Sequence, residues 1–105
     1  MGMDLIGRNG QRWSLSYSGW EFLLNLADKY GWEPAGTTLP DDPAYADIHW
    51  DGNYSSSDFQ SISAADVMEI AATLERAVTA EPELDSDTRR EFIEFLRQCG
   101  GLMLG

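Results

Sequence analysis

Residues 3–31 read MDLIGRNGQRWSLSYSGWEFLLNLADKYG, and this stretch decides the fold class. It opens on a short apolar-leaning segment, residues 3–8, and breaks at Asn9-Gly10, a strong two-residue hairpin signal. Residues 11–17 then alternate, with Trp13, Leu15 and Tyr17 on one face and Arg12, Ser14 and Ser16 on the other, the pattern of a half-buried strand. The period changes directly afterwards. Ser18 and Glu21 form a capping box, and Trp20, Leu23, Leu24 and Ala27 make a helical stripe that Phe22, Leu26 and Tyr30 widen. Gly31 is placed to stop that helix, which the spacing sets at residues 19–30.

The rest of the chain supplies partners for this hairpin and helix. Ser63 with Asp66 caps a helix over residues 64–80, with Val67, Ile70, Ala71, Leu74, Ala77 and Val78 on its apolar face and Glu81-Pro82 at its end. A last helix over residues 87–98 carries Phe92, Phe95, Leu96 and Cys99 inward, and Gly100-Gly101 stops it. Leu102-Met103-Leu104 adds a final strand. Between the first two helices, residues 32–46 hold Pro34, Pro40, Pro43 and Gly36 and read as an irregular loop. Ile48-His49-Trp50 reads as a short strand, Asp51-Gly52 as a turn, and residues 54–61 as a polar second arm. The order ββαββααβ predicts a single α+β domain over residues 1–105: a small antiparallel sheet with an N-terminal hairpin, packed against three helices.

Charge narrows the function classes. The chain has 18 acids, seven bases and a net charge of −11. Residues 31–88 alone contain thirteen acids and one base, Arg76, while the flanks are close to neutral. Such a block repels nucleic acid and anionic lipid and attracts basic surfaces. Seven of the thirteen have a structural reading: Asp66 caps the second helix, Glu69 and Glu75 lie along it, and Glu81, Glu83, Asp85 and Asp87 lead into the last one, where negative charge complements the helix dipole. Six acids, Glu33, Asp41, Asp42, Asp47, Asp51 and Asp58, have none, and Trp32 and Trp50 flank them. One cysteine, Cys99, rules out an internal disulfide, and no apolar run approaches the roughly 20 residues of a membrane span. With no basic start followed by an apolar core, the expected location is cytoplasmic.

The signals for catalysis are thin. If residues 47–51 are extended, Asp47, His49 and Asp51 share one face and form a weak candidate metal site. The calcium-loop echo starting at Asp51 fails at Ser56 and Ile62, where glycine and glutamate are required. No Gly-x-Ser-x-Gly and no phosphate-binding glycine loop occur, and nothing in the chain calls for a cofactor.

One longer pattern stands out: Trp20-x-x-Leu23-Leu24, then Gly31-Trp32-x-Pro34-x-Gly36-Thr37, Trp50-x-Gly52-x-Tyr54, and Phe92-x-x-Phe95-x-Arg97-x-x-Gly100-Gly101. It resembles a group of small, acidic, uncharacterised bacterial proteins. The resemblance implies a complete bacterial domain and carries over no catalytic residue.

The expected function is therefore non-enzymatic: an acidic binding protein of the immunity or inhibitor type that takes a protein with a basic surface. The acids Glu33, Asp41, Asp42, Asp47, Asp51 and Asp58 would face that partner, with Trp32 or Trp50 as apolar anchors. A homodimeric accessory protein built on helix flanks is the alternative, and a metal-dependent enzyme using Asp47, His49 and Asp51 is the third reading.

Overall fold

In the computed structural model, which describes residues 2–105, the strands are β1 (Gly2–Gly7), β2 (Arg12–Ser16), β3 (Ser61–Ile62) and β4 (Leu102–Leu104). The helices are α1 (Tyr17–Lys29), α2 (Ala64–Ala80) and α3 (Asp87–Gln98). The strands form one antiparallel sheet in the order β2-β1-β4-β3, so the fold is α+β, as the hairpin-to-helix reading requires.

β1 and β2 pair with Leu5 opposite Trp13 and Met3 opposite Leu15. Their connection is not the expected two-residue turn. Gly7 N donates to Gln11 O (2.8 Å), Gly10 N donates to Gly7 O (3.0 Å), and Gly10 alone in the loop has a positive φ, +86°. That is a three-residue loop ending on a left-handed glycine. The longer loop is held from outside the hairpin: Asn9 N and Nδ2 donate to Cys99 O and Gln98 O, both 3.2 Å away.

β2 passes into α1 without a loop. The helix cap is Ser16, whose hydroxyl accepts from Gly19 N at 3.0 Å, and not Ser18, so Tyr17 belongs to the helix. Gly19 permits this, because a Cβ there would sit 3.0 Å from the Ser16 hydroxyl. At the other end Gly31 (φ +104°) completes a Schellman motif, with Trp32 N donating to Ala27 O and Gly31 N to Asp28 O. α2 and α3 have the predicted limits, capped by Ser63 on Asp66 N and by Ser86 on Arg89 N.

The strand expected at Ile48-His49-Trp50 is absent, and residues 54–61 form no arm beyond β3, so the order is ββαβααβ. The backbone there is used otherwise. Asp42 caps a short 3-10 turn at Pro43–Tyr45, and Ile48 N bonds back to Tyr45 O. The outer edge of β3 is met instead by Thr38, which exchanges two hydrogen bonds with Ser61.

All three helices pack on one face of the sheet. Met3, Leu5, Ile62, Leu102 and Leu104 point into the core from the strands, and Trp20, Leu74 and Leu96 meet them from the helices. Cys99 is fully buried, and burial pushes its thiol pKa up, the environment of an inert cysteine. No helix among the described residues is long and apolar enough to cross a membrane.

Candidate functional site

The first turn of α2 places Asp66 indoors, 5% exposed. Ser63 does cap this helix through Asp66 N, but the Asp66 carboxylate does not serve the helix end. Its Oδ1 accepts the Trp32 indole N–H at 2.9 Å and its Oδ2 accepts the Tyr54 hydroxyl at 2.5 Å. Tyr54 Oη in turn accepts from Gly36 N (2.7 Å), and Tyr54 O accepts the Trp20 indole N–H (2.7 Å). The Trp32 and Tyr54 rings meet edge to face with centroids 5.0 Å apart. Burial, and then the Asp66 carboxylate, raise the Tyr54 pKa far above the usual phenol value.

A second set of bonds closes the loop above this clamp. Thr37 Oγ1 donates to Asn53 O (2.6 Å), and the fully buried Gln60 donates to Ser56 O (2.8 Å) while accepting from Asp58 N (2.9 Å). No buried side-chain polar atom among the described residues is left without a partner. The loop between α1 and β3 is irregular in backbone, and its buried side-chain polar atoms are all hydrogen-bonded, which is what fixes an irregular segment in one shape.

Trp32 is consequently not an exposed anchor. It is 5% exposed and committed to the clamp. Trp50 is half-buried, with its indole N–H on Thr37 O at 3.0 Å. The six acids Glu33, Asp41, Asp42, Asp47, Asp51 and Asp58 are all exposed. Two of them have local work: Asp42 caps the 3-10 turn through Ala44 N (2.8 Å), and Asp51 accepts from Asn53 Nδ2 (2.9 Å) and N (3.1 Å). Those bonds from Asn53 hold the Asp51 carboxyl below its ordinary pKa. The other four carboxylates, Glu33, Asp41, Asp47 and Asp58, accept no hydrogen bond and join no ion pair among the described residues. The ion pairs found, Lys29–Glu81, Arg90–Asp85 and Arg97–Glu75, all lie elsewhere.

The metal candidate loses its basis. Without a strand at residues 48–50, Asp47, His49 and Asp51 have no shared strand face, and no group of three or more His, Cys, Asp or Glu among the described residues is arranged to hold a metal ion. No family model, curated protein or solved structure matches the chain. The site is thus characterised by its own geometry alone. Surface hollows of about 360 and 470 Å³ lie away from the acidic loop, between α2 and α3 and beside β2 and α3.

Two apolar residues of this region are exposed against expectation: Ile48, expected in a strand, and Phe59, which the sequence did not single out. Ile48 is 50% exposed and Phe59 is 46% exposed. Phe59 is also the only non-glycine among the described residues with positive φ, +60°. Phe59 N donates to Leu104 O while Gln60 O accepts from Leu104 N, so two residues oppose one in a β-bulge. Phe59 takes the left-handed position such a bulge normally gives to glycine. We expect Phe59→Gly to be more stable than Phe59→Ala by about 1 kcal/mol, the reverse of the usual order. Urea titration of both variants checks this; equal midpoints would mean the position stores no strain.

Proposed function

We propose that the chain is a non-enzymatic, cytoplasmic binding protein, of the immunity or inhibitor type, that captures a basic protein through its acidic loop. One observation carries this reading: Glu33, Asp41, Asp47 and Asp58 are exposed and unpaired on a loop that also exposes Ile48 and half-exposes Trp50. Carboxylates engaged within a fold are already neutralised in part by their partners. Unengaged ones keep their full field for steering an incoming cation, and an adjacent apolar residue adds contact area once it arrives. The Asp66 clamp supports the loop from beneath, so binding need not pay to order it.

An NMR titration with a short lysine- and arginine-rich peptide tests the proposal. Amide shifts should concentrate between Glu33 and Phe59. Reversing Asp41 and Asp47 to lysine should weaken the peptide about tenfold at low salt, while the thermal midpoint stays within about 2 °C because both sites are exposed. Equal shifts at Glu69, Glu83 and Glu91 would reduce the effect to net charge and defeat the assignment of a dedicated surface.

A further inference from the structure

Only one face of the sheet carries helices. On the other, Asp4, Ile6 and Arg8 occupy successive outward positions along β1 and its continuation, because Met3, Leu5 and Gly7 alternate inward. Ile6 pairs directly with Met103 of β4, and Asp4 exchanges two backbone hydrogen bonds with Gly105. A Cβ on Gly105 would lie 3.3 Å from both Ile6 Cδ1 and Phe59 Cε1, so these side chains border one spot on the surface. Ile6, Met103 and Phe59 therefore make a contiguous apolar centre, none of them buried.

The charges around this centre are arranged in a way that fits a second copy of the same chain. Reading outward along β1, the face presents an acid, an aliphatic residue and a base. A two-fold axis lying across the strands at Ile6 sets Ile6 on its counterpart and brings Asp4 of each copy to Arg8 of the other, giving two identical contacts; it also sets the exposed Arg12, opposite Ile6 on β2, against its own counterpart, a like-charge contact that weakens the association. Self-complementarity of this kind is what an isologous interface requires. Arg8 is available for it: the side chain is exposed, lies across Gly101, and makes no ion pair or hydrogen bond among the described residues. Asp4 accepts only the Ser14 hydroxyl (2.5 Å), which leaves lone pairs for a guanidinium.

We infer that this open sheet face is a homodimer interface, with Asp4–Arg8 pairs flanking an Ile6, Met103 and Phe59 centre. Four strands spaced about 4.8 Å apart make a narrow face, at the low end of interface size, so the dimer is concentration-dependent and not obligate. It is independent of the acidic-loop reading, whose charge reversals use other residues.

Sedimentation equilibrium between about 10 μM and 1 mM, a range that spans a weak association, tests the inference with two single variants. Arg8→Glu opposes two acids at each contact, and Asp4→Arg opposes two bases, so each variant alone should dimerise about tenfold more weakly than the wild type. Mixed in equal amounts, the two variants pair acid with base at both contacts, and dimer should return to near the wild-type level. Thermal melts of each variant verify that both are folded, since Arg8 is exposed and Asp4 faces outward. A wild-type chain that stays monomeric across the range overturns the inference. So does a dimer unchanged by either variant, or a mixture that shows no recovery; a dimer held by the exposed Phe22 or Met68 of the helices would give that pattern.

Discussion

Replacing Asp66 with alanine should lower the unfolding free energy by about 3 kcal/mol and the thermal midpoint by roughly 15 °C. The effect is large because one carboxylate satisfies two buried side-chain donors from two distant loop segments, Trp32 and Tyr54. Alanine leaves the indole N–H and the phenol without an acceptor in a site water does not reach, and desolvated groups with no partner carry the full penalty. Asparagine should cost less, since it retains an acceptor for one of the two donors. The decisive measurement is a double-mutant cycle. In a chain that already carries Trp32→Phe and Tyr54→Phe, the stranded donors are gone and Asp66→Ala should cost well under half as much. The amide of Gly36, held by the Tyr54 hydroxyl, should exchange faster with solvent in Asp66→Ala. Full additivity in the cycle, or a cost below about 1 kcal/mol for Asp66→Ala, would show that the clamp is not what holds the loop.

Trp20→Ala should cost more still, about 4–5 kcal/mol, a large part of the stability of a domain this size. Trp20 is 1% exposed and is the largest side chain in the core that is completely enclosed. Its removal opens a cavity beneath the sheet and also frees Tyr54 O, to which its indole N–H bonds at 2.7 Å. Trp20→Phe separates the two contributions, because it fills most of the space and lacks the donor. We expect it to cost about 1–2 kcal/mol, with the difference from alanine assigned to packing. Denaturant unfolding of both variants measures this. Equal losses for phenylalanine and alanine would assign the effect to the hydrogen bond.

The limits of α2 and α3 were legible in the sequence because each begins on a serine with a helical stripe behind it and ends on a breaker. The start of α1 was ambiguous for a local reason. Ser16 and Ser18 both precede the stripe, and the choice is made by the pairing of β2, which runs to Ser16 opposite Gly2. Ile48-His49-Trp50 has the composition of a strand, but strand formation needs a partner edge, and Thr38 occupies the one beside Ser61. The clamp was hidden by distance: Asp66 lies 34 residues from Trp32, and its position in the first helical turn already had a sufficient local explanation. The six acids are all exposed, yet only four are without internal engagement, because Asp42 and Asp51 bind backbone that propensity alone does not place. Phe59 gave no signal, since a glycine would have marked its backbone and a phenylalanine does not.

The position of β4 has a consequence for synthesis. This strand follows every other described element in the chain, yet it lies between β1 and β3 and is the only link between them in the sheet. While the chain is being translated, β1 and β2 can close as a hairpin and all three helices can form, but the inner edge of β1 has nothing to pair with until Leu102–Leu104 emerge. While residues up to 101 are being made, then, Met3 and Leu5 border an open strand edge, the kind of surface on which nascent chains associate wrongly. The sheet is completed only once β4 has emerged, and until then the strong net negative charge keeps neighbouring unfinished chains apart.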